Sequence, residues 1–141
     1  MPGSSTDSAQ TLARDTKYCR AIAAYMIRIG HATNAQILVA LRTDYPSLSA
    51  TTVHRATTRL AERGELGIAP ADLDGSMRYD ANTADHDHFM CNRCGRLRDA
   101  ELANQVRPLI ESQLEGCHIS GSITVSGTCK QCTKSKQRRK L

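Results

Sequence analysis

The sequence predicts an α+β fold made of two small domains, and three patterns support this prediction. The N-terminal half shows three helical periodicities followed by two short strands. The C-terminal half mixes short strands with one helix and contains two Cys-x-x-Cys pairs. A stretch rich in histidine and cysteine, His86–Gly95, opens this half. Because two small domains in 141 residues have little core each, we expect a metal or a partner chain to stabilise them.

Changes in composition divide the chain into four segments. Residues 1–9 are small and polar, which predicts a flexible N-terminus. Residues 10–82 form the first domain and residues 83–133 form the second. Residues 134–141 are basic, and we expect them to be a disordered tail.

Three helices are predicted in the first domain. Apolar residues at three- and four-residue steps predict a helix from about residue 10 to residue 29. A second helix begins at an N-cap, Thr33 or Asn34, and is broken by Tyr45–Pro46. A third runs from residue 50 to about residue 63, between a serine N-cap and a glycine.

Two short strands follow the third helix, at residues 66–69 and 77–80. An Asp-Gly turn lies in the segment that links them, which indicates a hairpin. Three helices followed by a hairpin is the order of a winged helix-turn-helix domain. The hairpin is then the wing, from which Arg78 is expected to reach a phosphate.

The outer face of the third helix is basic and rich in hydroxyl groups. Such a face on a short helix suits the major groove of DNA. A solvated surface helix explains the same residues equally well. The candidate DNA-binding residues are Thr51, Thr52, His54, Arg55, Thr58 and Arg59.

The second domain is predicted to hold strands on either side of one helix. Residues 96–99 form a possible strand, and residues 119–125 alternate apolar with small polar residues, as a half-buried strand does. A helix is expected from residue 102 to about residue 116, starting or kinking at Arg107 because Pro108 follows. Its inward residues are predicted to be Val106, Leu109, Ile110 and Leu114.

The net charge of +5 and a pI of about 9.0 favour a polyanionic partner. The chain has four Tyr, one Phe and no Trp, whereas single-stranded nucleic acid is usually bound by aromatic stacking. Double-stranded DNA is therefore the better candidate. No signal peptide or membrane span is expected, so we predict a protein of the reducing cytoplasm.

The two Cys-x-x-Cys pairs predict a structural zinc site. Four thiolates, Cys91, Cys94, Cys129 and Cys132, complete a closed tetrahedral Zn²⁺ site. A redox dithiol is an alternative for one pair alone, but two pairs favour the metal. Such a site would tie the last strand to the first pair and stabilise a domain of about 50 residues.

A second group of possible ligands combines imidazoles with carboxylates: His31, Asp80, His86, His88 and Asp99. In a strand, residues two apart point to the same face, so His86 and His88 can bind one ion. This mixed nitrogen and oxygen set suits Fe(II) or Mn(II), while zinc or nickel could also bind and zinc could fill the site in a crystal. One ion held by both domains would fix the angle between them and act as a corepressor.

The residues as a whole resemble the ferric uptake regulator (Fur) family of bacterial metalloregulators, over about residues 12–132. The motifs that carry the resemblance are Thr52–Arg55, His86–Gly95 and the terminal Cys-x-x-Cys. The resemblance implies a homodimer that binds operator DNA and represses transcription when a metal is bound. It also implies an N-terminal winged helix and a C-terminal α/β dimerisation domain.

The peroxide-sensing branch of this family is the more similar one. Its regulatory ligands fall on the five residues of the mixed set, and Asp99 stands where the iron-uptake regulators usually carry Glu. The resemblance implies that bound Fe(II) reacts with hydrogen peroxide, that His31 or His86 is oxidised, and that DNA is then released. It implies no accessory metal site, because residues 119–125 contain no histidine.

Three other functions compete with this interpretation. The nearest is a repressor of iron, zinc or manganese uptake that does not sense peroxide. A zinc hydrolase using His86 and His88 is disfavoured, because the histidine stretch contains no Glu and there is no His-Glu-x-x-His helix. A zinc-stabilised interaction module without a DNA role is opposed by the basic third helix. We therefore expect a regulator, with no enzymatic activity and no small-molecule substrate.

Overall fold

The computed structural model describes residues 5–102 and 104–139, and the side chains of residues 17–102 and 104–135. These residues form helices and strands in two compact units, which confirms the predicted α+β class. The first unit contains the chain up to Ala71 together with Ser76–Thr83. The second contains Asp72–Gly75 and the chain from Ala84 onward.

The first unit places three helices around a small antiparallel sheet. Its strand order is β1-β3-β2, with β3 paired to both neighbours. The elements are α1 (Ser5–Ile29), β1 (His31–Thr33), α2 (Asn34–Leu41), α3 (Ala50–Glu62), β2 (Gly67–Ala69) and β3 (Arg78–Asp80).

The ends of α2 and α3 are fixed by the residues that local chemistry favours. Thr33, rather than Asn34, is the N-cap of α2, and it forms a capping box with Gln36. Ser49 caps α3 through the backbone N–H of Thr52. Gly64 follows α3 with φ of 74°, a conformation that costs glycine little. Strand β1 was not predicted; it fills the short interval between α1 and α2, where the sequence has no hairpin turn signal.

The core of the first unit lies between the three helices and the sheet. Its fully buried side chains include Ile22, Met26, Ile37, Val53 and Leu60. They come from the faces that the sequence periodicity had marked as apolar.

The prediction that Arg78 extends from the wing was wrong. Arg78 is buried, with 6% exposure, and its Nη2 donates to the Ala71 carbonyl oxygen. Its position in the central strand β3 turns the side chain into the unit. The charge of the residue had suggested exposure, but the sheet order decides its environment.

The second unit is built on a three-stranded mixed sheet with the order β5-β4-β6. Strand β4 pairs antiparallel with β5 and parallel with β6. The elements are β4 (Asp87–Cys91), β5 (Leu97–Ala100), α4 (Arg107–Gln113), β6 (Thr124–Gly127) and α5 (Lys130–Arg139).

Both predicted flexible ends are helical where the structure describes them. Helix α1 begins at Ser5, so residues 5–9, which were predicted to be flexible, lie in a helix; no Pro or Gly occurs between Gly3 and Gly30 to stop the helix. Helix α5 extends to Arg139, so residues 134–139, which were predicted to be disordered, also lie in a helix. Lys, Arg and Gln are good helix formers. Residues 1–4 and 140–141 lie outside the described residues.

Helix α4 is shorter than predicted, and its apolar residues are not buried. It begins at Arg107, with Pro108 in its first turn, and ends at Gln113. Of the four residues expected to point inward, Val106 and Ile110 are half-buried. Leu109 is 67% exposed and Leu114 is 47% exposed. Within this chain, no other part of the described second unit covers them. The last strand also begins later than expected, at Thr124.

Among the described residues, no helix combines the length and the apolar character that spanning a bilayer requires.

Candidate metal centres

The four cysteines of the two Cys-x-x-Cys pairs come together in the second unit. One Sγ atom from each of Cys91, Cys94, Cys129 and Cys132 lies within 4.8 Å of the others. The Cys94 and Cys129 sulfur atoms are 3.7 Å apart. A tetrahedral zinc with Zn–S bonds of about 2.3 Å requires an edge of about 3.8 Å, so this separation fits zinc.

Sheet pairing explains why two pairs so distant in sequence meet. Strands β4 and β6 run parallel, with Cys91 opposite Gly127. Each cysteine pair begins at or just after the C-terminal end of its strand, so both pairs lie at the same edge of the sheet. Gly95 follows the first pair with φ of 75°, and a Cβ atom there would lie 2.6 Å from Asp72 Oδ1. Only glycine fits this turn.

Backbone N–H groups prepare one thiol of the cluster to bind a cation. The pKa of Cys91 is lowered from 9.0 to about 6, chiefly because the Cys129 N–H, 3.3 Å away, donates to its sulfur. The pKa of Cys132 is raised to about 12, mainly because its thiol donates to the Cys129 sulfur. Four thiolates this close together would repel one another, and a divalent cation is the group that would allow all four thiols to lose their protons.

A second candidate group in the same unit consists of His86, just before β4, His88 on β4 and Asp99 near the end of β5. His86 Nε2 and His88 Nε2 are 3.2 Å and 3.5 Å from the same oxygen, Asp99 Oδ1. The two imidazole centroids are 4.4 Å apart, and His88 is opposite Asp99 in the β4–β5 register. The predicted alignment of the two histidines on one face is consistent with this arrangement.

The orientation of His86 favours a cation in this group. Its Nδ1 lies 2.6 Å from the Ala84 carbonyl oxygen, so Nδ1 is the protonated nitrogen. In the neutral ring, Nε2 then presents a lone pair to the Asp99 carboxylate. Two acceptors at this distance repel each other unless a proton or a metal lies with them. Two imidazoles and a carboxylate are hard to borderline ligands, which suits Fe(II), Mn(II) or zinc.

The remaining two candidate ligands meet in the first unit. His31 Nε2 lies 3.4 Å from Asp80 Oδ2, and the two residues are opposite each other in the β1–β3 register. Asp80 is 2% exposed, and its Oδ1 accepts a hydrogen bond from the Asn82 backbone N–H. That bond fixes the carboxylate and leaves Oδ2 toward the imidazole. One imidazole and one carboxylate are too few to hold an ion strongly alone.

Asp87, between the two histidines, has a supporting role that was missed from the sequence. It is 3% exposed, and its Oδ2 and Oδ1 accept hydrogen bonds from the backbone N–H groups of Leu102 and Ile123. Arg107 Nη2 lies 3.7 Å from Asp87 Oδ1, and Arg107 Nη1 donates to the carbonyl oxygens of Ile119 and Gly121. The guanidinium supplies the positive charge that a buried carboxylate needs.

We expect Arg107→Gln to lower the free energy of unfolding by about 2–3 kcal/mol, because it leaves Asp87 buried without its counter-charge. The Arg107 side chain is 22% exposed, so the expected loss is smaller than the roughly 3–5 kcal/mol found when a fully buried pair is broken. Urea unfolding of the zinc-loaded protein measures it. Arg96→Gln, at an exposed arginine, is the control. An equal effect of both substitutions would contradict the assigned role of Arg107.

The candidate DNA-binding residues lie on one helix, α3, and differ in exposure. Thr51, His54 and Arg55 are exposed, whereas Thr52, Thr58 and Arg59 are half-buried. Thr52 Oγ1 lies 2.9 Å from Ser49 Oγ, and Thr58 donates to the His54 carbonyl oxygen. Thr52 and Thr58 therefore already have partners within the helix, and Arg55 is the basic side chain best placed for a ligand.

Helix α3 is held to α2 by one buried polar residue. Thr57 is fully buried, and its hydroxyl lies 2.9 Å from Asn34 Oδ1 and 3.0 Å from the Val53 carbonyl oxygen. Asn34 Nδ2 also lies 3.4 Å from His54 Nδ1. These bonds fix the rotation of α3 about its axis, and with it the face that carries Arg55.

Comparison with known proteins identifies the family to which this chain belongs. Residues 13–120 match the profile of the Ferric uptake regulator family. This range covers most of the chain, which therefore belongs to that family of transcriptional regulators and is not an enzyme. The chain is 29% identical over 124 residues to the Peroxide-responsive repressor PerR of Staphylococcus aureus, covering 84% of this chain and 82% of that protein.

Solved structures support the fold. A peroxide stress regulator of Campylobacter jejuni has a TM-score of 0.68 at 20% identity, over 90% of this chain and 97% of that chain. The ferric uptake regulator Fur of Helicobacter pylori, described as having three functional metal-binding sites, has a TM-score of 0.67 at 16% identity. That match covers 91% of this chain and 90% of the other.

Proposed function

We propose that this chain is a metal-dependent repressor that binds operator DNA as a homodimer and senses peroxide through Fe(II). The observation that carries the proposal is the convergence of two imidazoles on one oxygen of Asp99. Membership of the ferric uptake regulator family and similarity to a peroxide-responsive repressor agree with it. A cytoplasmic location follows from the same proposal.

The regulatory metal is proposed to use ligands from both units. His86, His88 and Asp99 offer three, and His31 and Asp80 offer two. Neither group alone fills the five or six positions that Fe(II) or Mn(II) prefers. A single ion bound by all five residues would restrict the orientation of the first unit relative to the second, and would thereby select the form of the dimer that binds DNA.

The structural metal is proposed to be zinc, bound by Cys91, Cys94, Cys129 and Cys132. The 3.7 Å sulfur separation and the lowered pKa of Cys91 support this assignment. A site closed by four thiolates has no position for substrate and serves stability alone.

Operator recognition is proposed to use the exposed face of α3, led by Arg55 with Thr51, Thr52, His54, Thr58 and Arg59. The homodimer is proposed to form through the second unit, where Leu109, Leu114 and Val125 are exposed. Covering three such side chains favours association, at about 25 cal/mol per Å² of apolar surface. Operators of two-fold dimers carry two half-sites related by the same symmetry.

Peroxide sensing requires a specific change in a ligand residue. Fe(II), when bound, supplies the reducing electrons that cleave the O–O bond of hydrogen peroxide. In net terms one peroxide oxygen is inserted into a C–H bond of the imidazole ring of His31 or His86 and the other leaves as water; the oxidised ring would return the electrons that the iron supplied, so the iron would end as Fe(II). An oxidised imidazole is a poorer ligand, so the metal is lost and DNA is released.

The decisive experiment exposes the Fe(II)-loaded protein to stoichiometric peroxide and follows operator binding and peptide masses together. We expect loss of binding and a gain of one oxygen atom on the peptide that carries His31 or His86. The Mn(II)-loaded protein is the control and should keep both its mass and its operator. Asp99→Glu should retain metal-dependent binding and lose the peroxide response.

The alternative function is an iron-, zinc- or manganese-responsive repressor of metal uptake. Similarity of fold to a ferric uptake regulator favours it. Retention of operator binding and an unchanged histidine mass after peroxide would establish this alternative.

A further inference from the structure

The distribution of charge along the chain is unequal. Six of the 19 basic residues, and none of the 14 acidic residues, follow Glu115. The preceding residues therefore carry 13 basic and 14 acidic groups, a net charge of −1. All of the positive net charge of the chain resides in its last part, and α5 alone holds five of the six basic residues.

Helix α5 is anchored where it begins. Cys129 immediately precedes the helix and Cys132 lies in its first turn, so two ligands of the proposed zinc site hold this end. The Cys129 N–H donates to Cys91 Sγ, and the Asn92 N–H donates to the Gly127 carbonyl oxygen at 2.7 Å. The Thr133 N–H and hydroxyl both donate to the Cys129 carbonyl oxygen. The start of the helix is thus attached to the sheet.

The basic residues of α5 that the structure describes in full are available to a ligand. Lys130 and Lys134 are both exposed and are separated by about one helical turn. Neither takes part in an ion pair within the side chains that the structure describes. An anchored helix presents its charges with less loss of conformational entropy than a disordered tail would.

We propose that α5 is a second DNA-contacting element, which binds phosphates of the duplex while α3 reads the operator. The proposal rests on the proposed repressor function. Duplex DNA is the partner favoured by charge, because the rest of the chain carries a net charge of −1 and gives little long-range attraction to a polyanion. Contacts of this kind add affinity without adding sequence preference.

The test compares two double substitutions that remove the same charge from the second unit. Lys134→Gln with Arg138→Gln removes two of the five positive charges of α5. Arg93→Gln with Arg96→Gln removes the charges of two exposed arginines near the first cysteine pair. Binding of the full-length, zinc- and Mn(II)-loaded protein to operator and to unrelated duplex is measured between 50 mM and 200 mM salt. Zinc content and circular dichroism confirm that each variant is folded.

For the α5 double, which removes two charges from each protomer of the proposed homodimer, we expect the magnitude of the slope of log K against log salt to fall by about 3–4, at about 0.9 per phosphate contact. The ratio of operator to non-specific affinity should stay constant. The arginine double should change the slope by less than half as much. Equal changes would mean that only net charge matters, and an unchanged slope would mean that α5 makes no phosphate contact and is left for another partner, such as an acidic protein; both overturn the proposal.

A separate measurement distinguishes failure of the proposed repressor function from failure of the α5 proposal. Arg55→Ala should weaken operator binding by 5- to 150-fold and reduce operator preference if α3 reads bases. Binding of the unsubstituted protein to operator and to unrelated duplex with equal affinity would reject the repressor function. In that case the α5 double still reports whether this helix contacts phosphates.

Discussion

Cys94→Ser is expected to remove zinc from the protein and to unfold the second unit. A structural zinc in small domains contributes about 10–16 kcal/mol of apparent binding free energy, which exceeds the whole stability of many domains. The sheet of this unit has only three strands, and its described helix α4 buries no residue, so little else stabilises it. Zinc analysis, circular dichroism and sedimentation should show loss of metal, of structure and of the dimer.

Cys117→Ser is the matched control for this prediction. Cys117 is also an exposed cysteine of the second unit, but it is not in the four-thiol cluster. The variant should retain zinc and a normal unfolding transition. If Cys94→Ser kept its zinc and its fold, or if Cys117→Ser lost them, the assignment of the site would be wrong.

Substitution of His31 alone or of Asp99 alone should lower metal-dependent operator affinity as much as substitution of both residues. If one ion uses ligands from the two units, His31→Ala and Asp99→Ala should each abolish the metal-dependent gain in operator affinity. We expect the operator affinity of the metal-treated protein to fall by about 100-fold or more. This estimate starts from the 10- to 100-fold cost of losing a residue that merely supports a ligand. The double variant should then cost no more than either single, because the second change removes a ligand from an ion already lost.

The measurement is operator binding with and without Mn(II) for the four proteins of this double-mutant cycle. Asp85→Asn is the control, because it removes an exposed carboxylate close to His86 that is not a proposed ligand. Additive losses from His31→Ala and Asp99→Ala would show two independent sites. Retained metal dependence in either single variant would exclude that residue from the site.

Much of the candidate chemistry was predictable from short spacings. The spacing of a Cys-x-x-Cys pair places both sulfur atoms at one turn, and the spacing of His86 and His88 places both imidazoles on one face of a strand. The structure brings the two cysteine pairs together, and it brings Asp99 to the two histidines. Capping residues also placed the starts of α2 and α3 within one residue. Local rules work where the interacting groups are local.

Other features depend on contacts between residues far apart in the sequence, and short spacings could not predict them. The charge of Arg78 predicted exposure, but the central place of β3 in its sheet buries the side chain. The apolar period of α4 predicted a buried face, yet Leu109 remains exposed within a single chain. The support that Arg107 gives to Asp87 joins residues 20 positions apart and has no spacing rule.

The bonds of Asp87 also bear on how the length of this chain could change between Leu102 and Ile123. Its two carboxylate oxygens hold Leu102, where the chain leaves β5, and Ile123, where it enters β6. Both points lie at the edge of the sheet opposite the four thiols, because β4 and β6 run parallel. Insertions or deletions between these two anchor points would therefore alter the outer helix and its loops while the geometry of the cysteine cluster stays the same.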